Sequence, residues 1–89
     1  MTSRTTASFR KAFSSLPEGV QERAREAFRR FSEDPHHPSL NLKQVHSTEP
    51  VYSVRVTLRY RALARRTDDV WIWFWIGSHS DYDQLLSRG

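Results

Sequence analysis

The chain has 89 residues, 37% of them apolar and 12% aromatic, with no cysteine and a formal charge of +4. A chain this short buries only about 60% of its unfolded surface, so residues 1–89 read as one small domain with its three Trp, five Phe and three Tyr crowded into one core. The missing cysteines exclude a disulfide scaffold, a thiolate metal site and a Cys nucleophile. The longest apolar run, Val70 to Ile76, falls far short of the roughly 20 residues of a membrane span. The N-terminal MTSRTTASFRK has no apolar signal core, and the expectation is a cytoplasmic protein with no membrane contact. All cations but Lys11 and Lys43 are Arg, the residue best suited to bidentate phosphate recognition. A GC-rich genome and a solvated helix face would produce the same enrichment, so composition alone does not choose a ligand.

The first half has helical period. Phe9, Ala12, Phe13 and Leu16 fall at i, i+3, i+4 and i+7, one apolar stripe, with Thr5 or Thr6 before it as the N-cap. Pro17 suits the first turn of a second helix, where its missing N–H costs nothing. Val20, Ala24, Ala27, Phe28 and Phe31 then repeat on one face to about Phe31, and the short link at Ser15 to Pro17 folds the two helices back as an antiparallel hairpin. Glu22 and Glu26 meet Arg25, Arg29 and Arg30 at helical spacings on the outer face, contributing a few tenths of a kcal/mol per pair. Asp34, Pro35 and Pro38 end the helix and open an irregular stretch closed by Pro50, within which Leu42 to Val45 is a short strand candidate.

The second half changes period from 3.6 to 2. Tyr52, Val54 and Val56 alternate with Ser53, Arg55 and Thr57, a strand with one wet face. A turn at Thr57 to Arg59 leads to a second strand, Tyr60 to Arg66, and Thr67 to Asp69 to a third, Val70 to Ile76, ended by Gly77. Ser78 to Leu86 then reads as a turn and one or two helical turns capped by Ser80. The fold class is α+β: a helical hairpin packed on a small antiparallel sheet of three to four strands, with a short C-terminal helical turn. Trp71, Trp73 and Trp75 have period 2 and share a face. They are either a stacking platform for RNA or, the better reading, the core surface that Phe9, Phe13, Phe28 and Phe31 require. Ile72, Phe74 and Ile76 then lie on the other face, and so apolar a second face predicts a bound protein.

No glycine-rich phosphate loop, helical pair of His at metal spacing or nucleophile elbow is present, and nothing implies a metal or a cofactor. Arg55, Arg59, Arg61, Arg65 and Arg66 fall within one short stretch, with Arg61 and Arg65 on one face of their strand. Pairing across the hairpin turn brings Arg55 beside Arg61, which is destabilising unless an anion joins them. The alternative is internal pairing with Asp68, Asp69, Asp81 or Asp83. His79 follows the central strand, and an imidazole there can give or take a proton near neutral pH. Tyr82, three residues on, is placed to stack on a base or bond a phosphate, or else to staple the tail to the core with Leu85 and Leu86.

In this order of parts the chain resembles the RelE/ParE superfamily of bacterial toxins from toxin–antitoxin pairs. The likeness covers the hairpin SFRKAFSSLPEGVQERAREAFRRFSEDP, then LKQVH, then YSVRVTLRYRALARR, then an apolar strand ending in GSHSDYDQLL. In YSVRVTLRYRAL, Arg55 and Arg61 fall where the ribosome-dependent nucleases carry two arginines flanking a hairpin turn. In GSHSDYDQLL, His79 falls at the position of a catalytic His, with Tyr82 as the neighbouring aromatic. The resemblance implies ribosome-dependent endonucleolytic cleavage of messenger RNA by 2′-hydroxyl attack on the adjacent phosphate. In that reading His79 carries a proton, Arg55 and Arg61 hold the scissile phosphate, Tyr82 orients substrate, and His46 is a second proton carrier. Lys43, Arg59 and Arg65 bind substrate. The glutamate base of one subgroup has no clear match, since Glu49 precedes Pro50 in a loop, and the lysine-rich floor of another is reduced to Lys43. The implied partners are an antitoxin protein, in a heterotetramer or larger complex, and the ribosome with its message. A non-enzymatic member that inhibits DNA gyrase by binding is the alternative, and an inactive homologue or plain RNA-binding module a third.

Overall fold

The computed structural model describes residues 2–87. Ahead of the first helix, Thr2–Thr5 (β1) is extended and pairs in parallel with the last strand, from Thr2 opposite Val70 to Thr5 opposite Trp73. Thr6 then caps α1 (Ala7–Ser14), its hydroxyl accepting the Phe9 N–H at 3.1 Å, so of the two threonines it is Thr6 that fills the role. Pro17 sits one position before α2 (Glu18–Glu33), not inside it, and α2 runs two residues past Phe31. A 3₁₀ turn at Pro38–Leu40 follows, ended by Asn41 in the left-handed region at φ 47°, which a short amide side chain tolerates.

The sheet has five strands in the order β1-β5-β4-β3-β2, with β2 (Lys43–Gln44), β3 (Val51–Thr57), β4 (Tyr60–Thr67) and β5 (Val70–Ser78). The three pairings among β2 to β5 are antiparallel as expected, and β1 adds a fifth strand in parallel, so the sheet is mixed. The α+β architecture therefore stands, with one strand more than the sequence disclosed. Helix α3 (His79–Ser87) closes the chain; its first turn is capped by the Ser78 hydroxyl, which accepts the Asp81 N–H at 3.1 Å, and not by Ser80. Among the described residues no helix is long and apolar enough to cross a membrane.

Helices α1 and α2 cover one sheet face. Phe31 meets Trp71 and Trp73 edge-on, with ring centroids at 5.0 and 5.1 Å, and Phe28 reaches Trp73 at 5.0 Å. Such pairs contribute about 0.5–1.5 kcal/mol beyond the area they bury. Val54, Ala62, Ala64 and Ile76 complete this core. The expected period-2 alignment of the three tryptophans breaks at a bulge: Leu63 pairs with Trp75 and Ala64 with Trp73, which leaves Phe74 without a partner on β4. One extra residue inverts the alternation beyond it. Trp71 and Trp73 therefore face the helices, Ile76 turns inward to join them, and Trp75 turns to the opposite face against Tyr82, 6.4 Å between rings. The tryptophan row is thus a core for two of its members and part of the second face for the third.

Candidate active site

Along β4, Ala62 and Ala64 point into the core, so Arg61, Leu63 and Arg65 point to the face away from α1 and α2. Ladder partners share a face. Arg61 faces Arg55 on β3 and Gly77 on β5, Leu63 faces Ser53 and Trp75, and Ser53 in turn faces Lys43 on β2. The outcome is a floor bearing Arg55, Arg61, Arg65 and Lys43, the positions the sequence pattern singled out. Arg59 lies in the two-residue turn, exposed, and its carbonyl accepts the His79 N–H at 2.6 Å. That bond ties the start of α3 to the tip of the β3–β4 hairpin.

The arginines of this floor are held in different ways. Arg65 donates to Glu49 at 2.6 Å, so its charge is met by a carboxylate other than the aspartates expected from spacing. Arg61 is half-buried and its Nη1 donates to the carbonyls of Thr57 at 2.8 Å and Tyr60 at 3.2 Å. Among the described residues the only ion pairs are Arg65 with Glu49 and His79 with Asp83, and neither involves Arg61 or Arg55. Burial, and then the neighbouring Arg55 charge, push the Arg61 guanidinium below its ordinary value, while Tyr82 and Asp83 act in the other direction. A cation with its orientation fixed by neutral carbonyls, beside a second cation, is a site prepared for an anion.

His79 opens α3 at the same end of the sheet, half-exposed, with its Nε2 3.5 Å from Asp83 Oδ2 one helical turn on. Asp83 thus joins the candidate site, having figured in the sequence only as a possible arginine partner. The signal was present in HSDYD, where His and Asp stand at i and i+4. Tyr82 is 4% exposed, stacked 5.9 Å from the His79 ring, and its hydroxyl is buried without a hydrogen-bond partner. In this position it has no open ring face for a base. An orphaned buried hydroxyl costs about 1–3 kcal/mol, and the group lies close enough to Arg61 to influence its charge.

Trp75 and Gly77 explain how this end packs. A Cβ on Gly77 would come within 2.7 and 2.9 Å of the Trp75 indole, so glycine is required for the ring to lie over the strand beside Arg61. The structure does not bring His46 into this group. Its Nδ1 accepts the N–H groups of Thr48 and Glu49 at 3.2 and 3.1 Å, capping its own turn at the Glu49–Arg65 end. Arg65 is four residues from Arg61, roughly 13 Å of strand. Among the described residues no cluster of His, Asp and Glu has the makings of a metal site.

A family model for the ParE-like toxin domain matches residues 18–84, from the start of α2 into α3. The chain belongs to the ParE-like toxin family. Solved structures agree with this toxin domain in fold. The chain from the RelB–RelE antitoxin–toxin complex of Methanococcus jannaschii superposes with a TM-score of 0.74 at 17% identity, covering 91% of this toxin and 96% of that chain. YafQ of E. coli strain BL21(DE3) gives 0.73 at 9%, covering 90% and 94%. A chain of the RelBE2 toxin–antitoxin complex of Mycobacterium tuberculosis gives 0.70 at 23%, covering 88% and 96%. No curated protein matches the chain.

Proposed function

We propose that this toxin domain cuts messenger RNA at the ribosome, using the Arg55–Arg61 pair to hold the scissile phosphate and His79 to move a proton. The observation that carries the reading is Arg61: half-buried, oriented by two backbone carbonyls, next to Arg55 and paired with no carboxylate. In the reaction the 2′-oxygen attacks the adjacent phosphorus; the O2′–P bond forms as P–O5′ breaks, leaving a 2′,3′-cyclic phosphate and a 5′-hydroxyl. Two guanidinium groups stabilise the charge on the phosphorane. His79, positioned by Asp83, delivers a proton to the departing 5′ oxygen. The Tyr82 hydroxyl lacks an acceptor, and a phosphate oxygen held on Arg61 is the acceptor this reading assigns to it. The proton of the 2′-hydroxyl passes to solvent water, since for His46 to take it substrate would have to span the floor from Arg61 to Arg65.

The relatives from Methanococcus jannaschii and Mycobacterium tuberculosis were solved as toxin–antitoxin complexes, which supports a cognate antitoxin as partner, the ribosome and message being the target. A cytoplasmic location goes with both. The ParE-like description of the matching family model favours one second reading, inhibition of DNA gyrase by binding alone. Induction in a bacterium, with primer extension on a reporter message and a parallel supercoiling assay, separates the two. Cuts that depend on ribosomes and vanish in Arg61→Ala support the nuclease. Loss of supercoiling without cuts moves the function to gyrase.

A further inference from the structure

We infer that the cleft between β5 and α3 reads one base of the RNA, and that the base it selects is guanine. The cleft encloses about 240 Å³, with Trp75, Ile76 and Gly77 on its strand side and Asp81, Gln84 and Leu85 on its helix side. Strand β1 stops at Thr5, opposite Trp73, so among the described residues no strand pairs with the far edge of β5 from Phe74 to Ser78, and the cleft lies beside that edge. On α3 the three lining residues stand at i, i+3 and i+4, which puts them on one helix face. Asp81 is fixed through its backbone, whose N–H goes to the Ser78 hydroxyl at 3.1 Å. Its carboxylate and the Gln84 side-chain amide have no hydrogen-bond or ion-pair partner among the described residues. Leu85 is 41% exposed, a large apolar side chain that the core does not use.

A flat ring with polar edges suits this lining. Trp75 and Leu85 offer apolar surface to its faces, while Asp81 and Gln84 meet its edge. The space is below the roughly 300–1,000 Å³ of sites for drug-sized ligands, so it takes one ring and not a segment of chain. Asp81 repels a phosphate, which belongs instead on Arg61, and Gly77, the ladder partner of Arg61, lines the cleft. Adjacent strands are about 4.8 Å apart, so the phosphate and the base of one nucleotide reach the two places together. An ionised carboxylate only accepts. Guanine presents two neighbouring donors, N1–H and N2–H, to its pair of oxygens, and O6 then takes an N–H of Gln84. Adenine and cytosine carry a ring acceptor beside their amino group, and uracil flanks its one N–H with two carbonyls, so each sets an acceptor against Asp81. The assignment rests on the nuclease reading for the phosphate on Arg61, whereas the choice among bases belongs to the cleft itself.

The test uses the full chain and labelled 2′-O-methyl uridine hexamers, uncleavable because the attacking hydroxyl is blocked, that carry G, A, C or U at one central position. Fluorescence anisotropy ranks them and amide shift mapping locates them. The G hexamer is expected to bind about tenfold more tightly than the other three, with shifts at Trp75, Gly77, Asp81 and Leu85. Asp81→Asn should bring it within about twofold of the A hexamer. Gln84→Glu sets a carboxylate against O6 and should weaken it by about tenfold. Both positions are exposed, and circular dichroism checks that the fold persists. Equal binding of the four hexamers, a G preference that survives Asp81→Asn, or shifts confined to other surfaces each overturn the proposal. Primer extension on a reporter message runs in parallel. A chain that never cuts removes the nuclease reading while the hexamer ranking still judges the cleft, and cutting without any ranking removes the cleft and keeps the nuclease.

Discussion

Arg61 and Arg65 stand on the same face of the same strand, yet the fold treats them oppositely. Arg65 reaches Glu49 across the mouth of the β2–β3 loop, and both side chains remain about half-exposed, 48% and 47%. Arg61 turns back onto the carbonyls of its own hairpin, with Arg55 opposite and no carboxylate bound. Equal spacing in sequence therefore does not mean equal readiness for an anion. A carboxylate in place satisfies a guanidinium and removes its incentive to bind phosphate, whereas neutral carbonyls fix its direction and leave the charge to be met. The Arg61 end also gathers His79, Asp83 and Tyr82. On this comparison the proposed chemistry belongs to the Arg61 end of the floor, and structural pairing is seen at the Arg65 end.

The largest effects should fall at the Arg61 end. His79→Ala is expected to lower message cutting by about 10²–10⁴, and Arg61→Ala by about 10²–10³, read as primer-extension stops on a reporter at matched protein level. Arg65→Ala under the same assay should cost less than threefold. If Arg65→Ala were as damaging as Arg61→Ala, ion pairing would not be the property that separates the two ends. Asp83→Asn keeps the shape of the His79 partner and removes its charge, so cutting should fall by about tenfold. Undiminished cutting in this variant would make Asp83 a surface residue only.

Next in size are effects on packing. Gly77→Ala forces the Trp75 indole off the strand beside Arg61, and overpacking of this kind costs about 1–3 kcal/mol, measurable as a lower urea midpoint with altered Trp fluorescence. No comparable loss is expected from Gly19→Ala, where an added Cβ meets nothing within 4 Å. Tyr82→Phe divides the two properties. Removing a buried hydroxyl that has no partner should stabilise the fold by about 1 kcal/mol, while cutting falls severalfold if that hydroxyl meets the phosphate. Loss of stability in this variant would mean that the hydroxyl has a partner in the folded chain.

The same contrast explains which parts could be read in the sequence. Helices α1 and α2 and strands β3 to β5 carry their periods openly, because each has one apolar face and one wet one or a run closed by turn residues. The meeting of Arg55 and Arg61 was legible because a short hairpin fixes register. Strand β1 was not: Thr2–Thr5 is exposed throughout and pairs in parallel with a strand far along the chain, so no local pattern marks it. The bulge at Phe74 was hidden for a different reason. Val70 to Ile76 is apolar at every position, and a run without alternation cannot reveal a slip that swaps Trp75 for Ile76 between faces. The Glu49–Arg65 pair was equally invisible, since it depends on how the irregular loop before Pro50 closes against β4. Of the candidate site, what the hairpin and strand end dictate was therefore readable, and what tertiary closure decides was not.

The smallest effect tests the comparison most directly. Exposed ion pairs contribute at most about 1 kcal/mol, so Glu49→Gln should barely change stability, but it releases the Arg65 guanidinium to solvent. If carboxylate pairing is what keeps Arg65 from serving as a phosphate ligand, the freed side chain adds one cation to the floor. For a single strand each phosphate neutralised adds about 0.7 to the slope of log affinity against log salt. Binding of a uridine dodecamer, titrated across salt, should therefore steepen by about 0.7 in Glu49→Gln, and the further change Arg65→Ala should return it to the wild-type value. Arg65→Ala introduced alone should leave the slope where it was, because a guanidinium already bound to Glu49 releases no counterion from the RNA. A flattened slope in that single variant would show that Arg65 exchanges its carboxylate for phosphate at little cost, and the division of the floor into a chemical end and a structural end would fall with it.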